Sequence, residues 1–151
     1  MKKDEILRQI HNARKAHISW VQRAKALVAG VPLSEDQIPM NATECLFGKW
    51  FYDEGIRLKK LPGFEIIDDI ERQHIDLHEE YLKIFQIFFG QKPSLLGKLL
   101  PFFKKKVTPE ERQHAKIILA DLEKTSNELL DILSLLERRV EALQPEAFEG
   151  L

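Results

Sequence analysis

Apolar residues in this chain recur at steps of three and four in every long stretch, and glycine and proline fall at the joints between stretches. That period places the apolar side chains on one face of an α-helix, and no segment shows the period-2, β-branched pattern of a strand. The longest run is Ala115, Leu119, Leu122, Ser126, Leu129, Leu133, Leu136, Val140 and Leu143. Its alternation of fours and threes is heptad-like. Before it stands Thr108-Pro109-Glu110-Glu111, which reads as a helix start: a threonine cap, proline in the first helical position and acids in the first turn.

Three further helices follow from the same reasoning. Ile6, Ile10, Ala13, His17, Trp20, Val21, Ala24 and Leu27 form one face, which stops at Gly30-Val31-Pro32. Asn41-Ala42-Thr43-Glu44 has the form of a capping box, which puts Cys45 in the first turn of a second helix running toward Gly55. A helix N-terminus carries partial positive charge, so the thiolate is expected to be favoured there. Ile67, Ile70, His74, Leu77, His78, Tyr81, Leu82, Phe85 and Phe89 form the third face, ending at Gly90. The expectation is an all-α, four-helix bundle in a single domain, 1–151. A short irregular or helical insertion, hydrophobic and basic over 91–108, precedes the long last helix at 109–143.

Composition narrows the function. A net charge of −1 offers no electrostatic basis for binding nucleic acid. No apolar run reaches the roughly 18–20 residues of a membrane-spanning helix. Leu95–Lys106 ends in three lysines, but Gly97 and Pro101 break any long amphipathic face, so membrane contact is not expected. One cysteine gives no disulfide framework, and a cytoplasmic setting follows as the default.

That cysteine needs another explanation. His17 lies in the apolar stripe of the first helix, and His74 and His78, four residues apart, project from one face of the third. Taken singly, each histidine is better read as a hydrogen-bonded core residue, and Cys45 as a small buried hydrophobe. Together, one cysteine and three histidines on the inward faces of three helices are the tetrahedral N/S set that Zn²⁺ prefers. Gly48, inside the second helix, suggests that another helix approaches closely there. Trp20 and Trp50 flank the ligand-bearing stretches and would exclude water, while Glu71 and Glu44 are candidates to orient the ligands.

The ordered motifs His17-x-x-Trp20, Cys45-x-Phe47-Gly48-x-Trp50 and His74-x-x-x-His78 resemble the chemoreceptor zinc-binding domain family, over roughly Ala13 to Phe85. The resemblance implies Zn²⁺ held by His17, Cys45, His74 and His78 in a four-helix bundle that commonly dimerises. It implies a bacterial sensory role in signal transduction and chemotaxis rather than an enzyme, with a chemoreceptor or cyclic-dinucleotide signalling protein as partner. Family members are usually fused to such proteins; these 151 residues carry neither a methyl-accepting coiled coil nor a cyclase. The signal would be zinc itself or an oxidant acting on Cys45, and a homodimer would use the seam of the last helix.

The alternative is a di-iron carboxylate protein. Glu71-x-x-His74 and Glu111-x-x-His114 are the paired motifs of ferritin-like redox sites. The first helix weighs against it, because its only acids are Asp4 and Glu5 at the very start. A haemerythrin-like centre is weakened by the same missing acids, and His11 reads as a surface residue.

Overall fold

The computed structural model describes residues 1–33, 41–90 and 106–151. The described residues form α1 (Lys3–Val28), α2 (Leu46–Asp53), α3 (Ile66–Phe89) and α4 (Pro109–Ala142), with no strand among them. Single 3₁₀ segments, Gly55–Lys60 and Pro145–Phe148, follow α2 and α4. The all-α reading is therefore borne out. Residues 34–40 and most of the hydrophobic and basic insertion expected at 91–108 lie outside the described residues.

The helix ends follow local chemistry. Thr108 Oγ1 accepts the Glu111 amide, and the Glu111 carboxylate accepts the Thr108 amide at 3.0 Å, so the start of α4 is a complete capping box. Asp4 and Glu5 in α1, and Asp68 and Asp69 in α3, place negative charge at the positive end of each helix dipole. Past α3, Gly90 adopts φ 87° and ψ 175°, a positive-φ conformation that a side chain would resist. The guanidinium of Arg112, on α4, donates to the Val28 carbonyl at 3.1 Å and so satisfies an open carbonyl at the end of α1.

The two main packing interfaces are α3 on α4 and α1 on α4, which makes α4 the central helix. At 1.5 Å per residue, α1 and α3 are each on the order of 35–40 Å long and α2 only about 12 Å. Helix α2 therefore cannot line the bundle; it closes one part of it, where α1 and α3 carry their histidines. The heptad residues Ala115, Leu122, Leu129, Leu133, Leu136 and Val140 are buried within the single chain. The seam expected to hold a second chain thus closes the chain's own core. The acidic tail also folds back: Phe148 is buried, and its carbonyl accepts from the Met1 ammonium at 3.1 Å.

Candidate metal centre

The turn before α2 differs from the expectation in a way that matters for Cys45. Asn41 Oδ1 accepts the Thr43 amide at 3.4 Å, a local turn rather than a helix cap. The N-cap is Cys45 itself: its backbone is extended, and its Sγ accepts the Gly48 amide at 3.1 Å. A sulfur so occupies the seat usually held by a serine or aspartate oxygen.

Gly48 explains how the turn reaches that position. A Cβ at residue 48 would lie 1.8 Å from the Ala42 carbonyl oxygen and 3.2 Å from the Thr43 Cα. The close neighbour is the chain's own preceding turn, not another helix as the sequence suggested. The turn folds flat over the first turn of α2, and the Ala42 carbonyl accepts from Cys45 Sγ at 3.5 Å. The sulfur is pinned from two sides and presented to α3.

There it meets the histidines. Cys45 Sγ lies 3.3 Å from His74 Nε2. One ligand atom from each of His17, Cys45, His74 and His78 lies within 4.8 Å of every other, and all four residues are buried. Bond lengths of about 2.0–2.1 Å to nitrogen and 2.3 Å to sulfur give tetrahedral ligand–ligand edges of about 3.3–3.6 Å. With none more than 4.8 Å from another, the four atoms are within about 1.5 Å of that spacing.

Protonation suits the same purpose. The Nδ1–H of His17 donates to the Ala13 carbonyl at 2.7 Å, which leaves Nε2 with its lone pair; that buried atom has no hydrogen-bond partner. Burial lowers the His17 pKa from 6.5 to about 4, against the favourable Ala13 bond. Burial, helped by the neighbouring His17 and His78, takes His74 down to about 2. Both imidazoles are thus neutral and able to ligate at ordinary pH. Cys45 departs from the sequence expectation: burial pushes its thiol up, and the amides of Gly48 and Phe47 with the Lys49 charge only partly oppose this. Desolvation outweighs the helix terminus, so a divalent cation is what would draw the thiolate out.

Aromatic rings wall the cluster. Trp20 stands edge-on to His78 at 4.9 Å and to His17 at 5.3 Å. Phe47 meets His74 at 5.0 Å and His17 at 5.8 Å. Trp50 packs on Phe47 and over Gly55, one layer further out. Glu71 lies beside Tyr52, whose ionisation its carboxylate disfavours after burial. Glu44 is exposed, as are His114 and His11. Among the described residues, the cluster that could hold a metal contains no carboxylate and omits both Glu111 and His114. The di-iron arrangement is not assembled.

Residues 17–85 match the family model of the chemoreceptor zinc-binding domain. The matched span opens on His17 and takes in Cys45, His74 and His78, so the resemblance read from the sequence motifs is borne out. Helix α4, which the bundle packs around, lies outside it. Comparisons with curated proteins and with solved structures return no match. No helix among the described residues is long and apolar enough to cross a membrane.

Proposed function

We propose that this chain is a zinc-binding regulatory module of bacterial signal transduction, with one Zn²⁺ held by His17, Cys45, His74 and His78. The observation that carries the reading is the buried His17 Nε2, which has no hydrogen-bond partner and faces a thiol and two imidazoles from other helices. A buried polar atom without a partner is costly, and a cation among these donors would remove that cost for the whole group. Four protein ligands leave no open coordination position, so the centre is regulatory or structural rather than catalytic.

Bound zinc would join three helices that the chain otherwise holds by packing. Occupancy and bundle stability are then linked, which is the basis for reporting zinc. Oxidant sensing at Cys45 is a second mode, but metal-free Cys45 is 2% exposed with its thiol pushed up, the environment of an inert cysteine. Zinc occupancy is therefore the favoured signal, relayed to a chemoreceptor or a cyclic-dinucleotide signalling protein. A homodimer would need a surface other than the α4 seam.

Elemental mass spectrometry of tag-free wild type and Cys45→Ala tests the assignment. One zinc per chain, lost or weakened in the variant, is expected. No metal, or two irons indifferent to Cys45, would overturn it.

A further inference from the structure

His74 Nε2 lies 3.3 Å from the Cys45 sulfur, yet His74 Nδ1 is buried without a hydrogen-bond partner. A metal-bound imidazole ordinarily donates its second N–H to a carboxylate, carbonyl or water, which fixes the ring's orientation. His17 has that acceptor in the Ala13 carbonyl. For His74 the obvious carboxylate, Glu71 one turn earlier, lies beside Tyr52. What stands against the His74 ring from α2 is Phe47, perpendicular at 89° and 5.0 Å between centroids. The same ring meets His17 at 85°. Phe47 is 3% exposed and two residues from Cys45. Perpendicular ring pairs at this range are attractive, and an aromatic face also accepts a weak N–H contact.

We propose that Phe47 is the positioning residue of the centre. Its ring takes the orienting role that an acceptor plays for His17, and it ties the imidazoles of α1 and α3 to the helix that carries the thiol. Zinc affinity should then depend on the ring of Phe47, not only on its volume. The inference rests on the zinc reading above.

Phe51 provides the control. It is 1% exposed on the same helix and packs on Phe47 and Tyr52. Zinc dissociation constants for the full chain, by competition with a chromogenic chelator, are compared for wild type, Phe47→Leu and Phe51→Leu. Phe47→Leu is expected to bind zinc about 10–100-fold more weakly, Phe51→Leu less than about threefold more weakly. Co²⁺ loaded into Phe47→Leu should show a changed visible absorption, and into Phe51→Leu the wild-type one. Equal weakening in both variants, or near-wild-type affinity in Phe47→Leu, would overturn the inference alone. Absence of zinc binding in wild type would overturn it together with the zinc reading. If Phe47→Leu does not fold, trifluorophenylalanine at position 47 keeps the ring's shape and depletes its face of electrons; unchanged affinity there would overturn the inference too.

Discussion

Replacing Gly48 with alanine sets two physical effects against each other. Helix propensity alone favours the change, since alanine is better than glycine inside a helix by about 1 kcal/mol. The turn over α2 opposes it. The new Cβ would sit 1.8 Å from the Ala42 carbonyl oxygen, and ordinary contact begins at 3.4 Å. Turn or helix must therefore separate by the difference, about 1.6 Å, while metal–ligand distances hold to about ±0.2 Å. Both obstructing groups are backbone, so no side chain can swing aside. Forced overpacking costs about 1–3 kcal/mol. After the propensity gain, metal-free Gly48→Ala should lose about 0–2 kcal/mol. The zinc effect should be larger, because the displacement moves the very segment that seats Cys45 Sγ. At least a tenfold weaker affinity is expected, which corresponds to about 1.4 kcal/mol. Chelator competition gives the affinity, and melts with and without zinc give the coupling. Full zinc stoichiometry at wild-type affinity, with an unchanged or raised melting temperature, would refute the reasoning.

Other outcomes follow from the same geometry. Metal-free protein should lose stability as pH falls below 6.5, because unfolded histidines bind protons that His17 refuses down to about 4 and His74 down to about 2. The slope is at most about 1.4 kcal/mol per pH unit for each histidine. Urea unfolding at pH 7, 6 and 5 measures it, and a flat profile would contradict the neutral buried imidazoles. Thr108→Ala should cost about 1 kcal/mol by opening the capping box of α4, with zinc affinity unchanged, since the cap lies outside the cluster. Stripping zinc with a strong chelator should raise amide exchange in α2 more than at Leu129 and Leu133 in α4, as read by hydrogen-exchange mass spectrometry. Uniform change along the chain would argue against a centre local to α1, α2 and α3. His78→Ala should shrink the zinc-induced rise in melting temperature, and an unchanged rise would remove His78 from the ligand set.

Most of the fold was legible because helix signals are local. The α4 start is written in four consecutive residues, and its buried face repeats in heptads. What the heptads do not specify is the partner. A seam of Leu129, Leu133 and Leu136 looks the same whether it meets a second chain or the chain's own α1 and α3. Only the arrangement of the other helices decides, and that is not a local property.

The candidate site was legible to the extent that its proposed ligands are rare residue types at helical spacing. The parts misread lie where backbone approaches backbone. Asn41 and Glu44 satisfied the capping-box pattern, yet the cap is Cys45, because cysteine is seldom counted among capping residues. The usable signal was Gly48, three residues after Cys45. The amide that a cap accepts belongs to the residue three positions on, and here that residue has no room for a Cβ. Read together, Cys45 and Gly48 describe one device: a sulfur that caps a short helix, and a gap that lets the preceding turn hold the sulfur from the other side. The same two contacts leave the remaining face of Sγ toward His74. The cap and the proposed ligand are then one atom, so loss of the thiol should unwind the start of α2 as well as weaken metal binding. Serine tests this directly: Cys45→Ser can keep the Gly48 cap while giving up the soft thiolate. Compared metal-free, its α2 amides should be better protected than those of Cys45→Ala, with zinc weakened in both. Equal protection in the two metal-free variants would show that the cap does not hold the start of the helix.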